Sequence, residues 1–422
     1  MTAARQSGRR TALAFAAVTT LFFAWGFITS NNDPLIVALR AALRLNYTEA
    51  LLTQIVFFLA FGLLSLPAAW LTSRIGPIDM ILWALGLMGI GCLLVVASTD
   101  LATFWPILGA LFVLASGFTA LQVAANPLAA GLGPPERTHF RLNFAQAFNS
   151  LGVVIGVHFG SIVMLGGPVV EIGSGAFLGA VDRAFLIMSG MLAALLLAFA
   201  LMRRFLILTV PDQLPVPSAM FEALRSRWAI FGAAAIGLYV GAEVSIGSIM
   251  INFLNQPDVL GLSLEDAGGY LANFYWGGAL CGRIVGTLLL TRFRAAWLLA
   301  TCGVTASLLC IAVLLSDGPI AGFAALAIGF FNSIMFPTIF TLTLERSGVS
   351  QSATSGLLCL AIFGGAMLPI AVGSIADSFG LGASFIVPMM AYLFIAIFAF
   401  AAREASRGRL STEPPAAASP IP

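Results

Sequence analysis

The chain has 422 residues, 60% hydrophobic and only 9% charged, with a net charge of +2. A soluble domain carries about a quarter charged residues because its water-facing surface needs them, so lipid must solvate much of this chain. The near-neutral balance argues against nucleic-acid binding, and with every basic residue an arginine there is no lysine to form a Schiff base.

A spanning helix needs roughly 20 apolar residues, and twelve such segments follow one another. The first covers about 12–38. Arg5, Arg9 and Arg10 before it imitate a signal peptide, but no cleavage site interrupts the apolar run, so an uncleaved span is expected. The next five cover about 50–70, 78–97, 104–128, 140–164 and 184–202. A charged, proline-bearing linker at 203–227 follows, and then six more spans at about 228–253, 268–290, 296–315, 320–344, 352–375 and 383–401. The expected organisation is therefore an N-terminal half (1–202), a cytoplasmic linker (203–227), a C-terminal half (228–402) and a disordered cytoplasmic tail (403–422) rich in proline and alanine. With the N-terminus in the cytoplasm, 16 of the 20 arginines fall on cytoplasmic segments and three outside. The positive-inside rule then predicts that both termini are cytoplasmic.

The two halves carry a hint of repetition. Asp33 and Glu243 are 210 residues apart, and so are Pro127 and Pro337. The shared offset puts an acid in the first span of each half and a proline in the fourth, as a parallel repeat would.

Ionisable residues inside apolar spans are costly, about 2.5–3.5 kcal/mol at the centre, and usually face a cavity. They are Asp33, Glu243 and Arg283, with His158 as a weaker member. Asp33 follows Asn31 and Asn32 and precedes Pro34, whose missing N–H frees the carbonyl four residues earlier and opens the helix locally. This cluster fits either a frayed helix end or a cavity-facing carboxyl that binds and releases a proton. Gln122 and Asn126 share a face of the fourth span, and Asn143, Gln146 and Asn149 largely share one on the fifth. Neutral amides offer donors and acceptors together, which suits sugar hydroxyls; bonding between helices is the competing role. Tyr239 and Glu243 lie one turn apart in the seventh span, as do Asn273 and Trp276 along the eighth. Trp25, Tyr275 or Trp276 offers an apolar plate for a sugar ring. Arg283 is expected to snorkel or bond a neighbouring helix end, and the glycine pairs Gly277–Gly278, Gly282–Gly286 and Gly364–Gly365 to form close packing faces.

Other chemistries lack their parts. Cys92, Cys281, Cys302, Cys310 and Cys359 sit singly in apolar runs and read as small hydrophobes. His139 and His158 are too few for an all-protein catalytic metal site. No phosphate-loop motif occurs, which disfavours ATP-driven transport, and no nucleophile–base pair suggests an enzyme.

Several motifs together resemble one family. They are Asn31-Asn32-Asp33, LQVAANP from Leu121 to Pro127, HFRLNFAQAFNS from His139 to Ser150, YVGAEVSIGS from Tyr239 to Ser248, YWGG from Tyr275 and NSIMFPT from Asn332 to Thr338. The resemblance is to the fucose–galactose–glucose:cation symporters of the major facilitator superfamily, in the glucose/galactose branch. It implies an all-α integral membrane protein with the major facilitator fold, twelve transmembrane helices in two six-helix halves. It also implies a monomer in the bacterial inner membrane that imports a neutral hexose with H+ by alternating access and uses no cofactor. Asp33 matches the aspartate that fucose permeases use in proton coupling. Gln146 and Asn149 match cavity-lining amides of the family, and the whole expected sugar-binding set is Asn32, Gln122, Asn126, Gln146, Asn149, Tyr239, Glu243, Asn273, Trp276 and Asn332. Two departures stand out. Gln122 occupies the place of a second, titratable glutamate in fucose permeases, and Ser73 replaces the usual aspartate in the superfamily's loop after the second span. Transport of fucose or an N-acetylhexosamine, coupling to Na+, and a sugar receptor that does not translocate remain as alternatives.

Overall fold

The computed structural model describes residues 2–43, 47–101, 103–165, 176–209, 219 and 221–404. Among these, eleven helices are long and apolar enough to cross a membrane. The twelfth predicted span is also present. It runs as Leu264–Tyr270, a wide π-helical turn at Leu271–Trp276, and Gly277–Leu289, stacked end to end. Its glycines, Asn273 and Arg283 make it the least apolar of the set.

The spans are numbered 1–12 in chain order. Span 1 is Thr2–Thr29 continued by Asn32–Leu43, span 2 is Tyr47–Ile75, span 3 is Pro77–Thr99 and span 4 is Phe104–Gly131. Span 5 is Thr138–Gly160 with a π turn at Ser161–Leu165, and span 6 is Ala176–Thr209. Span 7 is Arg227–Asn255, span 8 the three-part helix above, and span 9 Ala295–Leu315. Span 10 is Gly318–Asn332 and Met335–Arg346; span 11 is Gln351–Ala361 and Gly364–Phe379; span 12 is Ile386–Glu404. The sixth span was expected to stop near 202, yet its helix continues through Arg203 and Arg204 to Thr209. Apolar Phe205–Leu208 extends the helical pattern there, and Arg203 is held by both carboxylate oxygens of Asp79 on span 3. Most of the remaining linker and the tail beyond Glu404 lie outside the described residues.

Large apolar side chains point outward, with Trp83, Leu201 and Leu315 each more than 70% exposed. Water would penalise such a surface; hydrocarbon accepts it. The packing repeats between the halves. Spans 1 and 5, 2 and 4, 3 and 4, and 3 and 6 pack together, and the same contacts recur between 7 and 11, 8 and 10, 9 and 10, and 9 and 12. The parallel repeat suggested by the 210-residue offset is thus a repeat of packing.

Small residues set these contacts, since lipid supplies no hydrophobic drive between helices and close backbone approach must do so. A Cβ at Gly152 or Gly156 would strike the Phe23 or Phe27 carbonyl of span 1, and one at Gly282 or Gly329 would strike the facing backbone of spans 10 or 8. Gly152→Val is expected to lower the thermal midpoint of purified protein, at an overpacking cost of about 1–3 kcal/mol. Gly89→Ala, where a Cβ meets nothing within 4 Å, should leave the midpoint unchanged. Equal midpoints for both variants would contradict the close approach of spans 1 and 5.

Two prolines free backbone carbonyls where bonds between helices form. Pro127 cannot donate to the Val123 carbonyl, and Ser355 Oγ of span 11 takes that carbonyl at 2.8 Å. Pro337 frees the Ser333 carbonyl, and Arg283 Nε of span 8 takes it at 2.8 Å. The repeat-related prolines therefore each create an acceptor for a neighbouring span.

Candidate functional site

The halves meet through spans 2 and 11, 5 and 8, 5 and 10, and 4 and 11. The hydrogen bonds joining them lie toward the end where the arginine-rich loops gather, called the inner end below. His139 at the start of span 5 faces Thr341 Oγ1 at 2.6 Å and Glu345 at 3.2 Å, both on span 10. Asn143 Nδ2 donates to Thr338 Oγ1 at 3.4 Å. On span 4 the carbonyls of the last turn are capped by Arg141, which bonds Ala130 and, beyond the helix, Pro134. A cation suits that helix terminus.

Above this closed end lies a cavity of about 190 Å3. That is smaller than the roughly 300–1,000 Å3 of sites for drug-sized ligands and suits one small ring. Its wall is built by both halves: Trp25, Gln122, Gln146 and Asn149 from one, and Tyr239, Val240, Glu243, Arg283, Phe336 and Ile362 from the other. Six expected residues, Trp25, Gln122, Gln146, Asn149, Tyr239 and Glu243, are thus brought together.

Each has a distinct environment. Tyr239 is buried and donates its hydroxyl to Glu243 Oε1 at 2.8 Å. Asn149 Nδ2 donates to the Phe22 carbonyl of span 1 at 3.1 Å, which fixes the amide and leaves its oxygen for the cavity. Gln122 Oε1 and Gln146 Nε2 are buried with no protein partner. An unsatisfied buried polar atom costs about 1–3 kcal/mol, so one acceptor and one donor stand ready for a hydroxyl-bearing ligand. Trp25 and Phe336 add apolar faces. Aromatics, amides and one carboxylate on a single wall suit a neutral polyol ring in chemistry, with apolar faces to match its C–H face and polar groups to match its rim.

Other predicted residues fall elsewhere. Asn126 is fully buried with both side-chain atoms unpartnered, one turn from Gln122 but outside the cavity wall. Asn332 stands behind the wall and donates to the Tyr275 hydroxyl at 3.0 Å. Its place is set by the end of the first segment of span 10, so it supports the site instead of lining it. Asn273 is exposed and Trp276 is 44% exposed, because the wide turn at Leu271–Trp276 rotates this stretch away. The Trp276 ring lies near Gly247, one turn from Glu243 on span 7. Asn32 Oδ1 is buried without a partner at the break in span 1, next to Asn31, which donates to the Phe27 carbonyl at 2.6 Å. Asp33 lies in the first turn of the helix after that break, which begins at Asn32, close to where Pro34 is expected to open the span; its side chain lies outside the described residues. His158 is exposed and bonds only its own helix, at Val154.

Sequence reasoning expected Arg283 to bond a neighbouring helix end, and it does, at Ser333. It missed that Arg283 also lines the cavity. Apolar Val240, Phe336 and Ile362 gave no signal, since nothing in an apolar run marks which face meets a cavity.

Both the sequence and the fold have known counterparts. Residues 11–363 match the model of the Major Facilitator Superfamily. The chain is 41% identical over 390 residues to a protein of Brucella abortus biovar 1 named glucose/galactose transporter, covering 91% of this chain and 93% of that one. It is 28% identical over 410 residues to the L-fucose-proton symporter of Escherichia coli K12, covering 91% and 92%. A crystal structure of the transporter FucP in the outward conformation superposes with a TM-score of 0.81 at 26% identity, covering 94% of this chain and all of that one.

Proposed function

The chain belongs to the major facilitator superfamily, in the family that holds the glucose/galactose transporters and L-fucose-proton symporters, and from that premise we propose that it imports a neutral hexose, glucose or galactose, together with a proton. The observation that carries this reading is the cavity shared by both halves, closed at its inner end, with an unpartnered amide acceptor, an unpartnered amide donor and a carboxylate on its wall. The two halves rock about this site, so that it opens alternately to either side. The inner end faces the cytoplasm of a bacterial inner-membrane protein with both termini inside, in keeping with the arginine distribution. Asp33 takes the proton, and Gln122, Gln146, Asn149, Tyr239 and Glu243 hold the sugar.

Counterflow in liposomes against a panel of labelled sugars tests the substrate. Glucose or galactose should exchange fastest; preference for fucose or an N-acetylhexosamine would reassign it, and binding without exchange would make the protein a receptor. Gln122, which cannot titrate, keeps Na+ as the alternative cation. Uptake driven by a pH gradient alone supports H+, and uptake requiring a Na+ gradient overturns it.

Gln122→Glu adds a second titratable group to the wall. The pH optimum of transport should shift, and hexose binding should weaken as pH rises and the new group ionises, because a desolvated charge is costly. Unchanged pH profile and affinity would remove Gln122 from the site.

A further inference from the structure

Arg283 is placed where the two halves touch and where the cavity ends. From span 8 its Nη1 donates to Ser150 Oγ and, at 3.3 Å, to the Gln146 carbonyl, both on span 5 of the opposite half. Its Nε holds the Ser333 carbonyl freed by Pro337. The same side chain lines the cavity, where Glu243 is the one carboxylate among the lining residues.

Any motion that parts spans 5 and 8 at the inner end must break the bonds to Ser150 and Gln146. A guanidinium left with the Ser333 carbonyl as its one remaining acceptor in a low-dielectric cavity is disfavoured. It needs a new partner, and Glu243 stands on the same wall and the same half, so it moves with Arg283.

We propose that Arg283 is a latch between the halves: it ties span 8 to span 5 while the inner end is closed, and passes to Glu243 when that end opens. This rests on the alternating-access reading above, and it adds the positioning residue that sets the balance between the two states. Ser150 stabilises the closed state and Glu243 the open one, so removing them has opposite effects. A residue that merely packs would not give opposite signs.

The test is the distance between spin labels at Glu136→Cys and Arg292→Cys, both exposed and at the inner ends of spans 5 and 8. The background is Cys281→Ser, because the four other cysteines are buried. The full-length protein is measured in lipid without sugar. Ser150→Ala should raise the inner-open share ~10–150-fold, the worth of one hydrogen bond to a charged group, while Arg283→Gln loses the closed-state and the open-state bonds together and should shift it less. Ser150→Thr, which keeps the hydroxyl, should match the parent. Glu243→Gln should lower the open share by a similar factor. Ser150 lies outside the cavity wall, so Ser150→Ala carries the test even if Arg283→Gln folds poorly. An unchanged distance distribution in Ser150→Ala, or a larger open share in Glu243→Gln, overturns the latch. Hexose counterflow on the same samples reports separately on the transport reading. Failed counterflow with the expected distances sinks the substrate and keeps the latch; normal counterflow with unmoved distances does the reverse.

Discussion

Asp33→Asn is expected to abolish concentrative uptake while leaving sugar exchange across the membrane largely intact. One positive charge moving inward across 100 mV releases about 2.3 kcal/mol, enough for ~50-fold accumulation of a coupled solute. An asparagine has the size of the protonated acid and cannot release a proton, so the variant keeps the neutral form that binds and crosses but loses the step tied to the gradient. Uptake driven by an imposed potential and pH difference should then stop at the external concentration, while counterflow continues near the parent rate. Asp33 sits at the start of the helix after the break in span 1, beside Asn31 and Asn32. Full accumulation by the variant would sink the assignment and move the coupling carboxyl elsewhere, with Glu243 the first to examine.

The second large effect belongs to Glu243. As a ligand for sugar hydroxyls it accepts charge-assisted hydrogen bonds, each worth about 1.5–3 kcal/mol, so Glu243→Gln should weaken hexose binding ~10–150-fold. The rival role is structural, and Tyr239 supplies the reason to consider it: its hydroxyl donates to the same carboxylate at 2.8 Å. A glutamine oxygen still accepts from Tyr239, so the helix-internal contact survives while the charge is lost. The substrate role therefore predicts an unchanged thermal midpoint with weakened affinity. The structural role predicts a lowered midpoint with unchanged affinity per folded molecule. Both are measured on one purified sample, and normal affinity would remove Glu243 from the site.

Much of the site was legible because burying polarity in lipid is expensive. Gln122, Gln146, Asn149 and Glu243 stand out as polar residues in apolar spans. The same argument points to Asn126, Asn273 and Asn332, which lie off the cavity wall. Polarity in a span announces that a partner is needed without saying whether it is a ligand, another helix or the surface. For Asn332 the partner is Tyr275, and for Asn273 an irregular turn gives exposure.

What the sequence determined by itself was the solvent, the number and order of the spans, and the prolines within them. These are one-dimensional properties: hydropathy sums along the chain, and a proline removes a donor wherever it stands. What the tertiary structure alone decided was which freed carbonyl meets which side chain, Val123 with Ser355 and Ser333 with Arg283, and which faces join one cavity. Arg283 shows the reason most clearly. Its charge was conspicuous in the eighth span, but its bonds reach Ser150 and Gln146, more than 130 residues away in the other half. Only the packing of spans 5 and 8 brings those groups within reach.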